Sequence, residues 1–417
     1  MRTAWVLADE VLNYEFGPDH PMQPLRLRLM MELVESLGLL PEGEIVRLGP
    51  AGRVEELLRR VHDPRYVEAV KLLSADPRNP QLRELAARYG FNSEDNPAFA
   101  GMHEAAAAIV AGSVAGAEAI LSGEVTRAFH PGGGMHHAFY DRAAGFCIYN
   151  DAVAAIHRFL DRGWRVMYID GDAHHGDGVE EAFSEDPRVM TVSLHEDGRF
   201  LFPGTGFAGD IGKGAGVGYT ANLPLLPGTD DSSWVEVIES ALTALIHAFE
   251  PDVIVSQHGC DGHHFDPLSH LNLSTEGLEQ FARCLDVLTR DVTQGRWLAL
   301  GGGGYDIWRV VPRAWTLVWG IVSGQEVPDQ VPSSWLNRWQ PSSPYPLPAT
   351  LRDDPAEIAA AARQDPGLSW DMSTGNRAGW GDMPSAKELN LSTARRTVEL
   401  CLPHILDKAV AKESTSS

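Results

Sequence analysis

The chain alternates between short, continuous apolar runs and longer segments in which apolar residues recur every three or four positions. Runs without polar alternation are typical of parallel strands covered on both faces, whereas the longer period predicts helices. The predicted strands are 5–8, 126–130, 165–170, 189–195, 252–258 and 297–301. The predicted helices are 25–39, 64–73, 103–121, 151–161, 233–249, 275–292 and 310–322. This order predicts an α/β fold with a mostly parallel sheet and helices on both of its faces.

The pattern changes after about Pro328, where Pro, Ser and Trp become frequent. This composition predicts irregular but partly packed chain, followed by one more helix at 394–409 and a polar, disordered tail. We therefore predict a main domain at 1–325, a C-terminal extension packed on it at 326–410 and a disordered tail at 411–417.

Composition narrows the class of protein. The four cysteines lie far apart and form no CxxC motif, so any metal must be held by oxygen and nitrogen. The net charge of −23, from 34 basic and 57 acidic residues, disfavours nucleic acid as a partner. The apolar run at the start is too short for a signal peptide, and we expect no segment to approach the ~20 apolar residues of a membrane span. We expect a cytoplasmic protein that does not contact membranes.

Polar residues flanked by glycines follow four of the predicted strands. The four motifs are PGGGMHHA at 131–138, DGDAHHGD at 170–177, GCDGHH at 259–264 and GGGGY at 301–305. The carboxyl ends of parallel strands meet at one edge of the sheet, where α/β enzymes place their active sites. We therefore expect the four motifs to form one site.

The second and third motifs carry candidate metal ligands. If the chain stays extended past residue 169, Asp170, Asp172 and His174 lie on one side of it. Carboxylate oxygen and imidazole nitrogen bind zinc or a similar divalent ion, and Asp261 is a candidate third ligand. The alternatives are an Asp- and Gly-rich turn with solvated histidines at 170–177, and a turn cap at Asp261.

The first and fourth motifs carry candidate catalytic groups. His136 and His137 offer two adjacent groups for proton transfer, although a buried structural pair is the alternative. Glycines 301–304 precede Tyr305, whose hydroxyl can point at a substrate carbonyl; a merely flexible turn is the alternative. A phosphate-binding loop is excluded because no Lys-Ser/Thr pair follows.

These motifs, in this order, resemble the zinc-dependent histone deacetylase family of the arginase/deacetylase superfamily. The similarity spans about 9–319 and includes HPMQPLR at 20–26, GFC at 145–147, SLH at 193–195 and FPGTG at 202–206. Within the family, the chain is most similar to class I-type bacterial members, the acetoin utilization proteins. The resemblance implies a parallel eight-stranded sheet flanked by helices on both faces. It also implies deacetylation of lysines on metabolic enzymes such as acyl-CoA synthetases.

The resemblance implies a role for each motif residue. Asp172, His174 and Asp261 match the ligands of zinc, which iron(II) can replace in the cell, with a fourth position left open. Tyr305 matches the residue that polarises the substrate carbonyl.

His136 and His137 match the family's histidine pair, and Asp170 and Asp177 match its acidic partners. On this basis we predict that His137 is the general base and then the general acid, while His136 acts mainly through its charge.

Further positions match the family's channel and ion sites. Those of the substrate channel are Asp95, Gly145, Phe146, Phe202, Leu268 and Gly303. Arg26 matches an arginine beneath the metal, near a cavity for acetate exit. The positions that match the family's structural potassium sites are Asp170, Asp172, His174, Ser193 and Leu194 for the first site, and Phe183, Val189 and Tyr219 for the second.

A few positions depart from the usual pattern of the family. They are Met135 in place of Trp, the small residues Gly171 and Ala173, and Asp306 in place of Asn.

We predict hydrolysis of the acetyl amide of protein lysines. Acetylpolyamine amidohydrolysis is the alternative, which the apolar Leu268 and the lack of an evident acidic gate weaken. A non-catalytic acetyl-lysine-binding protein and a binuclear, arginase-like hydrolase are two further alternatives. The intact set of candidate ligands and proton-transfer groups disfavours the first, and the single ligand set disfavours the second.

Overall fold

The structure is a computed structural model that describes residues 2–7, 9–43, 45–49, 52, 54–354 and 385–415, with side chains described up to residue 407. Its centre is one eight-stranded, all-parallel sheet of order β2-β1-β3-β8-β7-β4-β5-β6. The strands are β1 Thr3–Val6, β2 Ile45–Leu48, β3 Arg127–His130, β4 Val166–Asp170, β5 Val189–Glu196, β6 Thr220–Leu225, β7 Val253–Gln257 and β8 Trp297–Leu300. The predicted α/β fold with eight parallel strands is confirmed.

The apolar pattern identified six of these strands and missed two. The missed strands, β2 and β6, form the two edges of the sheet. β2 carries the exposed Arg47, and β6 carries Asn222 and Pro224. Edge strands accept charged residues and proline because one side of the backbone has no partner strand. These residues interrupt the apolar run that marks the interior strands.

The helices cover the sheet. They are α1 Leu25–Ser36, α2 Val54–Val61, α3 Pro64–Ala75, α4 Arg83–Arg88, α5 Met102–Leu121, α6 Asp151–Asp161, α7 Asp177–Phe183, α8 Asp231–Phe249, α9 Thr275–Val292, α10 Val311–Ser323, α11 Ser333–Trp339 and α12 Ala386–Thr415. The pattern missed α2, α4, α7 and α11, which have eight residues or fewer and so span too few turns to show a period. Side chains of Asn150, Asp230 and Ser274 accept backbone N–H groups at the starts of α6, α8 and α9.

One expectation about membranes needs correction. By length and composition, α5 is the one helix in the described part of the chain that could cross a membrane. In the structure, however, 78% of an 18-residue apolar stretch of this helix is buried. It packs against α6 and β3 in the protein interior, and this burial accounts for its apolar composition.

The segment before residue 355 packs on the main domain through a small second core. Trp335 of α11 donates its indole N–H to the carbonyl oxygen of Leu29 in α1, at 3.0 Å. The buried apolar residues of this core are Leu29, Leu33, Leu317, Val331, Trp335, Leu347 and Leu351. The predicted extension at 326–410 is thus in contact with the main domain at its start, whereas residues 355–384 lie outside the described residues.

The last helix covers the edge of the sheet. The Thr397 hydroxyl of α12 donates to the carbonyl oxygen of Asn222 at 2.7 Å, and the Cys401 thiol donates to that of Thr220 at 3.2 Å. These carbonyls belong to edge strand β6, which otherwise offers free hydrogen-bonding groups. The helix begins at Ala386, earlier than the predicted 394, and extends to Thr415. It therefore overlaps the tail predicted to be disordered at 411–417, of which residues 416–417 lie outside the described residues.

The strand order explains why the four motifs meet. β3, β8, β7 and β4 are consecutive in the sheet, although they are far apart in the chain. All strands are parallel, so the segments that follow these four strands leave the same edge side by side.

Candidate active site

Two buried histidines, each bonded to its own carboxylate, form one side of the site. His136 Nδ1 lies 2.8 Å from Asp170 Oδ2, and His137 Nδ1 lies 2.7 Å from Asp177 Oδ1. The two rings are adjacent, with centroids 3.9 Å apart. A carboxylate on Nδ1 keeps the proton there and leaves Nε2 as the ring atom available for other partners.

The two histidines differ in their affinity for protons. Burial lowers the pKa of His136, but the charges of Asp170 and Asp172 outweigh it and raise this pKa to about 9. Burial and the neighbouring charge of His136 lower the pKa of His137 to about 4, although Asp177 opposes the shift. The two shifts run in opposite directions: they favour the protonated form of His136 and leave His137 as the member of the pair able to accept a proton.

Three further side chains converge beside this pair. Donor atoms of Asp172, His174 and Asp261 all lie within 4.8 Å of one another, and all three residues are buried. His174 Nδ1 lies 2.8 Å from Asp261 Oδ2 and 3.3 Å from Asp172 Oδ1. Burial and the charge of Asp172 raise the pKa of Asp261 to about 6. Two carboxylates that repel each other in this way are a suitable place for a cation.

The surroundings of the three donors fit a divalent metal ion. Carboxylate oxygen and imidazole nitrogen are both zinc ligands, and three protein ligands with one open position are typical of a catalytic zinc site. A Cβ on Gly303 would lie 2.1 Å from Asp261 Oδ2 and 2.9 Å from Asp172 Oδ2, so only glycine allows this close approach. The Gly303 N–H donates to Asp172 Oδ2 at 2.6 Å and orients that carboxylate.

Tyr305 follows the glycine run and lies beside the donors. Among the described residues, its hydroxyl has no hydrogen-bond partner, while its ring packs edge-on against Phe146 with centroids 5.6 Å apart. Burial, together with the charges of Asp261 and Asp172, raises the pKa of Tyr305 well above its usual value. The hydroxyl therefore keeps its proton at neutral pH and can donate a hydrogen bond.

Aromatic rings line the approach to these groups. The Phe202 ring is 45% exposed and its centroid lies 5.0 Å from that of His137. A Cβ on Gly145 would lie 2.3 Å from His137 and 2.9 Å from Phe202, so only glycine fits against these two rings. Phe146, with a φ of 66°, has its carbonyl oxygen bonded by the Tyr14 hydroxyl at 2.7 Å.

The predicted rim residues Asp95 and Leu268 connect to Phe146 and Tyr305 through other residues. Asp95 is exposed, and its carbonyl oxygen accepts a hydrogen bond from His20 Nε2 at 3.1 Å. The His20 ring packs edge-on against Phe146 at 4.7 Å. Leu268 is half-buried, and its N–H donates to Asp266 Oδ1 at 3.0 Å.

Arg26 lies beneath the glycine run. Its Nη1 donates to the carbonyl oxygens of Gly302 and Gly304, both at 3.0 Å. A cavity of about 10 Å³ adjoins it, with Tyr14 and Met135 among its lining residues. This volume holds about one water molecule and is too small for acetate, so acetate exit through it requires the cavity to widen.

The two predicted potassium sets lie at different positions along β5, one towards its carboxyl end and one at its amino end. Ser193 and Leu194 lie within β5, next to Asp170, which pairs with Ser193 in the sheet register. Phe183 ends α7 and Val189 begins β5, while the carbonyl oxygen of Tyr219 accepts the N–H of Thr191. The second set therefore lies near the amino end of the strand, away from the four motifs. Potassium binding at both sets stays a prediction.

Sequence reasoning missed several residues that hold the site. Asp151 accepts the N–H groups of Gly134 and Met135, at 3.0 and 2.7 Å, and so shapes the turn before the histidine pair.

Two other missed residues hold the candidate ligand Asp172 and the tyrosine. Gln257 donates to Asp172 Oδ2 at 3.2 Å, and Asp266 accepts the N–H of Tyr305 at 2.7 Å. Gln257 ends β7 two residues before the GCDGHH motif, which is a usable signal. Asp151 and Asp266 occur in segments with no motif.

The departures from the family pattern have structural explanations at two positions. A Cβ on Gly171 would lie 2.5 Å from the Phe281 ring, so this glycine and the phenylalanine fit each other. Asp306 accepts the N–H of Arg309 at 2.8 Å and its Nε–H at 2.7 Å. None of these residues is among the candidate ligands.

A second cluster of possible metal ligands is His263, His264 and Asp353. His263 Nε2 lies 2.8 Å from Asp353 Oδ2, and its Nδ1 accepts the N–H of Phe265 at 3.1 Å, so both ring nitrogens are occupied. Arg313 forms an ion pair with Asp353 at 2.8 Å, and its positive charge disfavours a cation there. This cluster is a structural network.

Known proteins resemble this chain over most of its length. Residues 20–322 match the histone deacetylase domain family. The acetoin utilization protein AcuC of Bacillus subtilis (strain 168) is 42% identical over 358 residues, covering 85% of this chain and 91% of the relative. AcuC of Staphylococcus xylosus is 39% identical over 354 residues, covering 84% and 91%. The crystal structure of an HDAC homolog from Aquifex aeolicus aligns with a TM-score of 0.76 at 31% identity, covering 87% of this chain and 99% of that chain.

These similarities confirm the resemblance to the bacterial acetoin utilization proteins and the arginase/deacetylase fold. The family consists of hydrolases that are generally metal-dependent, and Asp172, His174 and Asp261 are a possible metal-binding group in this chain. The chain belongs to the histone deacetylase family.

Proposed function

We propose that this protein hydrolyses the acetyl amide of acetylated lysine side chains on proteins, with a divalent metal ion held by Asp172, His174 and Asp261. The observation that carries the proposal is the convergence of three metal-binding donors, a histidine pair of unequal pKa and the unpartnered hydroxyl of Tyr305. A protein that only binds acetyl-lysine has no use for a proton-transfer pair. When bound, zinc or iron(II) supplies Lewis-acid polarisation of the amide carbonyl and lowers the pKa of water.

The residues of the chain move the protons. His137 Nε2 accepts a proton from the attacking water, whose oxygen bonds to the carbonyl carbon. Tyr305 donates a hydrogen bond to the carbonyl oxygen as it becomes negative, a contribution typically of about 3–4 kcal/mol. The C–N bond then breaks, and His137 returns the proton to the lysine nitrogen. The products are the free amine and acetic acid, which at neutral pH become lysine ammonium and acetate, while the positive charge of His136 stabilises the developing negative charge.

The walls of the approach support lysine as the substrate. Phe146 and Phe202 present apolar faces that suit the aliphatic stem of lysine. Leu268 is an apolar residue at the rim, and Asp95 is an exposed carboxylate able to accept hydrogen bonds from a substrate backbone. A protein such as an acetylated acyl-CoA synthetase fits this proposal, with the reaction taking place in the cytoplasm. We further propose that potassium has a structural role at the two sets described above.

The test compares substrates and metal states. We expect the purified protein to deacetylate acetyl-lysine peptides faster than acetylputrescine, to lose activity on chelation and to regain it with zinc or iron(II). Faster turnover of acetylputrescine would instead support acetylpolyamine amidohydrolysis. No turnover of either substrate by the metal-loaded protein would contradict the proposal.

Variants test the individual roles. We expect Tyr305→Phe to lower kcat about 100- to 1,000-fold, because it removes one oxyanion donor.

We expect Asp172→Ala and Asp261→Ala to have lost their bound metal when the metal content is measured by elemental analysis. Asp252→Asn is the control, because Asp252 accepts the N–H of Arg165 at the amino ends of β7 and β4, the ends opposite to the site. Undiminished metal in both alanine variants would contradict the ligand assignment.

A further inference from the structure

We infer that Asp266 is a positioning residue for Tyr305, because its buried carboxylate holds the backbone on which the tyrosine hydroxyl depends. The inference rests on the proposed function, since it assumes that Tyr305 acts on the substrate. Asp266 lies in the segment after β7, five residues beyond the candidate ligand Asp261, and is 6% exposed.

Both oxygens of the carboxylate are used. Oδ2 accepts the N–H of Tyr305 at 2.7 Å and the N–H of Asp306 at 3.3 Å. Oδ1 accepts the N–H of Leu268 at 3.0 Å. One side chain therefore connects the tyrosine with the rim of the channel.

Tyr305 needs such support because of what precedes it. Gly301–Gly304 have no side chains, and the φ values of Gly302 and Gly304 are 138° and 151°, in a region that favours glycine. Arg26 holds two carbonyl oxygens of this run, and Asp172 holds the N–H of Gly303. These contacts end at Gly304, and the next backbone amide, that of Tyr305, is held by Asp266.

The environment of the Asp266 carboxyl group strengthens the argument, because burial and the charge of Asp261 raise the pKa of this group well above its usual value. Among the described residues, no Lys, Arg or His side chain forms an ion pair with it, although its neighbour Asp306 is paired with Arg309. Burying a carboxylate without a cation is costly unless hydrogen bonds to it compensate. The compensating groups here are the three backbone N–H donors, two of which belong to Tyr305 and the residue after it.

A double-mutant cycle tests the inference. Asp266→Asn keeps the shape of the side chain but replaces one acceptor oxygen with an NH₂ group. We expect it to lower kcat about 10- to 100-fold at equal metal content, with little change in KM, because a displacement of about 1 Å can cost this much. In a Tyr305→Phe background, the same change should lower kcat less than about 2-fold, because the hydroxyl being positioned is already absent.

Hydrogen exchange gives a readout independent of activity. The amides of a peptide covering residues 301–308 should exchange faster in Asp266→Asn than in the wild type. Asp266→Ser, a smaller replacement with one acceptor, provides a second variant if Asp266→Asn folds poorly. Asp252→Asn is the matched control. It also changes a carboxylate that accepts a backbone N–H at 2.7 Å, but this carboxylate lies at the amino end of β7, away from the site.

The outcomes separate this inference from the proposed function. Equal losses of kcat in both backgrounds, or unchanged exchange at 301–308, would overturn the positioning role. Full activity of Tyr305→Phe would instead overturn the role of the tyrosine in the proposed function. Wild-type kcat in both Asp266→Asn and Asp266→Ser would also end the inference.

Discussion

His263 Nε2 lies 2.8 Å from Asp353 Oδ2, and this contact joins the C-terminal segment to the loop that carries Asp261. The same carboxylate oxygen accepts the N–H and the hydroxyl of Thr275, and the other oxygen faces Arg313 at 2.8 Å. Burial raises the pKa of Asp353, but the bond from His263 and the charge of Arg313 outweigh it and hold this pKa well below its usual value. The extension after residue 325 is therefore in direct contact with the loop that carries Asp261.

Replacing Asp353 should destabilise the protein. Asp353→Asn leaves Arg313 buried without its counter-charge, a change that typically costs about 3–5 kcal/mol. We expect the free energy of unfolding, measured by urea denaturation, to fall by about that amount. Asp329→Asn is the control, because Asp329 pairs with Arg352 at a partly exposed site and should cost less than about 1 kcal/mol. Equal effects of the two variants would contradict this account.

A single methyl group at Gly303 should disturb the three donors. In Gly303→Ala, the Cβ would approach Asp261 Oδ2 to 2.1 Å, so the carboxylate or the loop must move. We expect the variant to bind metal more weakly and to lose at least about 10-fold in kcat/KM while remaining folded. Gly209→Ala is the control, since no heavy atom lies within 4 Å of its added Cβ. Metal affinity equal to that of the wild type would contradict the described approach.

The stability of the protein should depend on pH through His62. His62 is buried, its Nδ1 lies 2.8 Å from the carbonyl oxygen of Phe139, and its Nε2 accepts the N–H of Asn150 at 3.1 Å. Burial lowers the pKa of His62 to about 4. Between about pH 6.5 and pH 4 the unfolded chain binds a proton that the folded protein does not bind. The free energy of unfolding should therefore fall by about 1.4 kcal/mol per pH unit through this residue as pH decreases.

The measurement is urea denaturation at several pH values between 4.5 and 6.5. His62→Gln retains a donor and an acceptor but does not titrate, so its stability should depend on pH less steeply by about one proton. The exposed His247 provides the control variant His247→Gln, whose slope should match the wild type. Identical slopes for His62→Gln and the wild type would show that His62 titrates alike in both states.

The cover that α12 provides for the edge strand can be tested at one hydroxyl. Thr397→Val keeps the shape of the side chain but leaves the carbonyl oxygen of Asn222 without its donor at 2.7 Å. We expect a loss of about 1–3 kcal/mol in the free energy of unfolding, because that oxygen stays buried. Ser392→Ala, on the exposed side of the helix, should change stability by less than about 0.5 kcal/mol. A Thr397→Val protein as stable as the wild type would contradict the contact.

The sequence predicted the fold best where the strands are interior. Strands buried on both faces must be apolar throughout, so β4 and β7 appear as continuous runs in the sequence. Edge strand β6 contains Asn222 and Pro224 because one of its sides packs on α12 rather than on another strand. Its identity as a strand therefore depends on a helix that lies more than 150 residues later in the chain.

For the site, local sequence patterns are enough to identify the types of chemical group and the strand ends that carry them. Short windows encode the apolar runs and the glycine-flanked motifs with His136, Asp172, Asp261 and Tyr305, so these were visible without a structure. Which of these groups are neighbours depends on the folded sheet. The order β3-β8-β7-β4 brings together segments separated by many residues, and the contact of Asp266 with Tyr305 exists only after that pairing. Such contacts depend on how the whole sheet closes, and no local pattern of residues encodes them.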